Sequence, residues 1–260
     1  MRTRMMGLFM VLGAILIVSS TTFAQRGGAA NTRNAAPAAS GPFDPHDLSG
    51  VWRGGGEFMG TPQPPMTAWG KAKFEATKPS YGPRAIPPAL GNDPLGKCDP
   101  QGYPRYFFYG VREYFQVPGR MLQLFEWGRA LREIWTDGQP LPEDPDPRWL
   151  GWSVGRWEGD VLIVNSVGFD DRTWLDHFGN PHSDEMKLEE RYRRLDKNTI
   201  ELTMTIDDPK TYTKPWVSNR MILKLQPADF KIREEFCSPS EEEHFNQGVR
   251  DPAAGLTNKK

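Results

Sequence analysis

The fold turns on residues 186–206, MKLEERYRRLDKNTIELTMTI. Two runs of strand-forming residues flank Asp196-Lys197-Asn198, a turn-forming triplet, so the stretch reads as a β-hairpin. Successive side chains of a strand point to opposite faces. Met186, Leu188, Glu190 and Tyr192 therefore share one face, and Lys187, Glu189, Arg191 and Arg193 share the other. One side is apolar apart from a single carboxylate, and the other is charged. That is the pattern of a strand with one face on a core and one in water.

The same punctuation continues in both directions. REYFQV and RMLQLFEW flank Pro118-Gly119, and ALREIW ends at Asp137-Gly138. WSVGRW and DVLIVNSV flank Glu158-Gly159, a two-residue hairpin signal, while NRMILKLQ and FKIREEFC flank Pro227-Ala228-Asp229. A further strand is expected at SGVWRG, near residue 50. Strands at hairpin spacing, with no helix of domain-forming length, predict an all-β domain. The expected form is an antiparallel meander that closes into a barrel, since closure removes exposed edges.

The remainder divides by composition. Residues 1–24 carry Arg2 and Arg4, an apolar run MMGLFMVLGAILIV and a small residue, Ala24, which together read as a secretory signal peptide. The apolar run is shorter than the ~20 residues that a membrane span needs. The expected destination is the periplasm or the medium, with no membrane span after cleavage. Residues 25–43 read as a flexible linker, 44–240 as one barrel domain and 241–260 as a loose tail. Ten of the 24 prolines fall within 60–104, which makes that segment an N-terminal arm lying on the barrel rather than part of its wall. One short helix is expected inside the arm, with Thr67 as N-cap and its end before Pro79.

The charges nearly balance, 32 basic against 33 acidic residues, and loss of Arg2 and Arg4 leaves the chain about three units negative. Nothing in this resembles the basic stripe that nucleic acid requires. The two cysteines, Cys98 and Cys237, lack the spacing of a metal or redox centre, and no cofactor or metal is implied. An even count in an exported chain favours a Cys98–Cys237 disulfide over two buried thiols.

Two resemblances enter on longer motifs. Gly50-Val51-Trp52, in DLSGVW, resembles the G-x-W entry of lipocalin and calycin barrels. That likeness implies Trp52 at a closed barrel end, packed on an arginine of the last strand, for which Arg233 is the candidate. GRWEGDVLIV, TWLD, GNPHSDE, EERYRR and DDPKTYTKPW resemble an uncharacterised family of exported bacterial proteins. This second likeness implies export and carries over no catalytic role.

Candidate site residues come from strand faces and from one long loop. Glu113, Glu133, Glu190 and Glu234 each share a strand face with apolar residues, and a buried carboxylate must be paired, hydrogen-bonded or wetted. They either form structural ion pairs with Arg132, Arg191 and Arg233 or line a polar cavity at the barrel mouth. The connection into Met186 carries His182, whose imidazole is suited to proton transfer near neutral pH. Glu190 and Asp176 are its candidate partners, with Glu190 expected to raise the His182 pKa. Trp174, Tyr192, Glu234, Tyr212 and Trp216 are the candidate substrate-binding side chains. Two readings stand: a hydrolase or lyase using general acid/base chemistry on a polar or aromatic small molecule, and a non-catalytic ligand-binding protein of lipocalin type.

Overall fold

The computed structural model describes residues 42–55, 62–108 and 110–256. The expected leader and nearly all of the expected linker lie outside these residues. Nine strands close a barrel: β1 (Gly50–Gly54), β2 (Val111–Val117), β3 (Arg120–Phe125), β4 (Leu131–Trp135), β5 (Trp152–Glu158), β6 (Val161–Val167), β7 (Lys187–Asp196), β8 (Thr199–Asp207) and β10 (Met221–Leu225). The opening hairpin forms as β7 and β8, with Glu190 opposite Met204. Closure comes from β10, which pairs antiparallel with both β1 and β8. The two-residue β9 (Trp216–Val217) continues the β8 edge. Turn chemistry sets the register at β2–β3, where Pro118 presets one torsion and Gly119 takes φ +77°, a left-handed value that favours glycine.

The wall departs from a pure meander at one seam. β4 and β5 run parallel and share a single bridge, Trp135 opposite Val154. Parallel neighbours need a crossover of a dozen or more residues, and Thr136 to Gly151 supplies it, with four prolines that keep it from adding a strand. The strap is fastened by Trp152 Nε1 donating to Asp146 O at 3.0 Å and Arg148 N donating to Gly168 O at 2.9 Å.

Both barrel ends are covered by the chain itself. At one end, His46 bonds Gly159 O at 2.9 Å and its carbonyl accepts from Gln116 at 2.8 Å, which draws residues 43–48 across the opening. Leu48 and Trp52 are fully buried there, and Trp52 Nε1 donates to Leu48 O at 2.9 Å. The arginine on the Trp52 ring is Arg194 of β7, 5.6 Å from its centroid. Arg233 is not the partner, because residues 230–237 form no barrel strand. They run outside the wall, where Arg233 meets Glu126 at 3.2 Å.

The arm covers the opposite end. Thr67 N donates to Thr211 O at 3.0 Å, Thr213 N to Pro65 O at 2.9 Å and Thr77 Oγ1 to Gly179 O at 3.0 Å. Helix α1 (Ala68–Ala76) starts at Thr67, whose hydroxyl accepts from Gly70 N at 3.1 Å, as the sequence predicts. The Cys98–Cys237 disulfide, with Cα atoms 5.3 Å apart, joins the arm to the segment after β10. Beyond it, residues 239–253, most of them in the tail expected to be loose, are helical, starting with α2 (Pro239–Phe245). No helix of the described residues is long and apolar enough to cross a membrane.

Candidate functional site

β7 points Glu190 into the barrel, and there it finds a complete set of partners. Arg132 of β4 reaches it with Nη2 at 2.5 Å and Nη1 at 3.2 Å, while the Tyr192 hydroxyl donates at 2.6 Å. Tyr103, from the arm-side plug, donates a further short hydrogen bond to the same carboxylate and lays its ring 3.8 Å from the Arg132 guanidinium carbon. The other Arg132 hydrogens go to Gln123 Oε1 at 3.0 Å, Ser166 Oγ at 2.8 Å and Ser153 Oγ at 3.2 Å. All five guanidinium donors are used, so the buried pair is both neutral overall and hydrogen-bonded, the condition for tolerating charge in a core. Burial and the adjacent Glu190 carboxylate push the Tyr103 and Tyr192 phenols well above their ordinary range, so both stay protonated and keep donating.

The other three candidate glutamates do not enter the barrel. Glu113 and Glu133 lie on the outer face, beside exposed Phe115 and Leu131, and Glu133 pairs with Arg120 at 2.8 Å. Glu234 is exposed on the segment outside the wall. The inward residues of β2 and β4 are instead Arg112 with Tyr114 and Arg132 with Ile134. A guanidinium with stacked rings and hydrogen-bond partners can occupy a core position that an apolar–polar pattern assigns to the outside.

The loop into Met186 is sealed beneath the arm. His182 is 1 % exposed, with Nε2 2.8 Å from Thr173 Oγ1 and Nδ1 3.0 Å from Ser183 O. Its neighbours are those groups and not Glu190, and burial lowers its pKa rather than raising it. Ser183 donates to Asp208 Oδ1 at 2.6 Å and so fastens this loop to the one after β8. Asp176 accepts from Phe178 N at 2.8 Å and Asn180 Nδ2 at 2.6 Å, which shapes the turn before Pro181, and burial raises its pKa. Tyr212 donates to Pro181 O at 2.8 Å and packs on Trp216, and Trp174 lies under the Arg105 guanidinium. His182, Asp176 and Glu190 share no hydrogen bond with one another, and each is buried. The loops before β7 and after β8 do leave the same barrel end, as their connectivity requires, but that rim is covered.

An opening lies in the wall instead, at the β4–β5 seam. Where the ladder thins to one bridge, the strands part around a cleft of about 360 Å³, the size of an ordinary small-molecule pocket. Trp135 of β4, Trp149 of the strap and Trp152 of β5 line it, three of the nine tryptophans in the chain. Arg148 lies over Trp152 at 3.2 Å and Arg172 over Trp149 at 4.4 Å. Arg132 and Ser153 form part of the lining, so the cleft abuts the charged centre of the barrel. Sequence reading missed this site because Trp135 lies on β4 while Trp149 and Trp152 enter from the start of β5, and the parallel crossover brings the two stretches together. The one available signal was the proline-rich interval between ALREIW and WSVGRW, too long for a hairpin. Among the described residues no group of His, Cys, Asp and Glu is gathered to hold a metal ion. No family model, curated protein or solved structure matches the chain.

Proposed function

We propose that the protein is an exported, small-molecule-binding β-barrel whose ligand enters through the wall, at the seam between β4 and β5. The observation that carries this reading is the convergence of Trp135, Trp149 and Trp152 on one cleft where the wall is held by a single bridge. Flat indole faces stack on sugar rings and planar aromatics, and the Arg148 cation adds attraction for an acidic group. The ligand class is therefore a planar aromatic or a sugar, with a carboxylate favoured. Binding is preferred to catalysis because the candidate proton-transfer groups are buried and engaged. Export is supported by the leader-like start and by the Cys98–Cys237 disulfide, which belongs to an oxidising compartment.

Tryptophan fluorescence titrated with a panel of sugar acids and aromatic acids tests the reading. At least one should quench saturably, and Trp149→Leu should weaken that ligand about tenfold, the loss expected of one stacking partner. A panel that leaves the emission unchanged, or a ligand held equally well by Trp149→Leu, would remove the cleft from consideration.

A further inference from the structure

Alternate residues of a β-strand turn their backbone N–H and C=O groups to opposite edges. In β4 two hydrogen bonds fix which edge is which. Phe125 N donates to Ala130 O at 2.9 Å, and Thr136 N donates to Gly119 O at 2.8 Å, both on the β3 side. Arg132 and Ile134, in step with Ala130 and Thr136, therefore face β3, opposite Gln123 and Met121. Leu131, Glu133 and Trp135 turn their N–H and C=O groups the other way, toward β5. Only the last of these is used, in the single bridge from Trp135 to Val154. The crossover on that side, residues 136–153, is described throughout, and no strand pairing reaches Leu131 or Glu133 from it. Both residues line the cleft. The opening is thus bordered by a strip of bare peptide edge as well as by indoles.

Backbone N–H and C=O groups are strong hydrogen-bonding groups, and an exposed sheet edge takes up extended peptide units. We propose that the ligand of this cleft is an acylated aromatic amino acid with a free carboxylate, held extended against the edge of β4. The proposal rests on the reading of the cleft as a binding site and narrows its ligand class. In a parallel ladder one residue donates its N–H to a carbonyl of the neighbouring strand and accepts from the N–H two residues further on. A ligand lying as β5 lies donates its amide N–H to Leu131 O and accepts from Glu133 N. It supplies the rung that the seam lacks.

The other parts of the ligand follow from the neighbours of that edge. Trp135, Trp149 and Trp152 suit an aromatic side chain, and the exposed Arg148 suits a carboxylate. Glu133 does not oppose that charge, because its own carboxylate pairs with Arg120 at 2.8 Å. An acylated nitrogen carries one hydrogen for one carbonyl and no charge. A free ammonium would bring further hydrogens to the single Leu131 oxygen and a second cation beside Arg148.

Tryptophan emission titrated with N-acetyl-L-phenylalanine and with 3-phenylpropionate tests the proposal, since the second keeps ring and carboxylate but lacks the amide. The acetyl derivative should bind about fivefold more tightly, the factor for one ordinary hydrogen bond. Methylation of its amide nitrogen should remove the gain. Glu133→Pro deletes the N–H that faces the cleft and none that bonds to β3, a place where an edge tolerates proline. Compared with Glu133→Ala, which loses the side chain alone, it should weaken N-acetyl-L-phenylalanine about fivefold. Acetyl-Ala-Ala-Phe distinguishes the end of a peptide, held more tightly through its further amides, from a free acylated amino acid. Equal affinity for the acetyl, N-methyl and amide-free ligands overturns the proposal, even if Glu133→Pro does not fold. If Trp149→Leu then weakens all three alike, the cleft survives as a binding site. Saturation by none of them overturns the proposal outright, and the sugar acids alone then decide the cleft.

Discussion

His177 and His182 are kept uncharged by their surroundings. Burial is the largest cause for both, and it takes His177 from 6.5 down to about 4, with Arg105 adding to the effect. A histidine whose folded pKa is depressed takes up its proton first in the unfolded chain, so stability is present above about pH 6.5 and lost as pH falls toward the folded value. Each ring can contribute a slope of at most about 1.4 kcal/mol per pH unit in that window. Urea midpoints should therefore fall between pH 7 and pH 5, and His177→Gln should flatten the fall. A midpoint constant over this range would mean that neither ring is held neutral. The expectation that Glu190 would raise the His182 pKa failed for a plain reason. Glu190 was rightly placed inward by strand alternation, but its lone pairs were already committed to Tyr192 of the same strand and to Arg132 and Tyr103, which come from other segments. A sequence shows which way a side chain faces more readily than which partner meets it there.

Among the elements, α1 shows packing overruling propensity. Gly70 lies within this helix, where alanine is the better helix former by about 1 kcal/mol. A Cβ at that position would come within 2.3 Å of the Thr211 carbonyl oxygen, so the glycine is there to let helix and loop backbones touch. Gly70→Ala should destabilise the protein by about 1–3 kcal/mol, as overpacking does. It should also increase protease cleavage within the arm, whereas an unchanged melting curve and digest would show that the arm only rests on the loop. Elements with strong turn chemistry were legible in the sequence: the β2–β3, β5–β6 and β7–β8 hairpins, and the Thr67 cap. Two things were not. The faces of β2 and β4 were inverted because Phe115 and Leu131 look like core residues and Arg112 and Arg132 do not. FKIREEFC has the alternation of a strand, yet β10 already fills the place beside β1 to which it could have been assigned.

For the molecule as a whole, the Cys98–Cys237 bond ties the arm over one barrel end to the last segment of the chain. Its sequence separation of 139 closes a long loop, for which the chain-entropy model gives a contribution of about 4–5 kcal/mol. Replacing both cysteines by serine should lower unfolding stability by about 2–5 kcal/mol, and should expose the helical tail to proteolysis before the barrel strands. Equal stability of the two forms would reduce the bond to an ornament of the surface. A closed end at Trp52 and an arm lying on the barrel were expected from the sequence; the arginine that meets Trp52 and the contacts that fasten the arm were not, because each joins segments far apart along the chain. One such contact governs the order of events in time. β10 is short, comes last of the barrel strands, and alone joins β1 to β8. Until it docks, both of those strands are open edges available to any neighbouring chain. Contacts so distant in sequence form slowly, so closure by β10 is the moment when a growing sheet that could pair with another molecule becomes one that cannot.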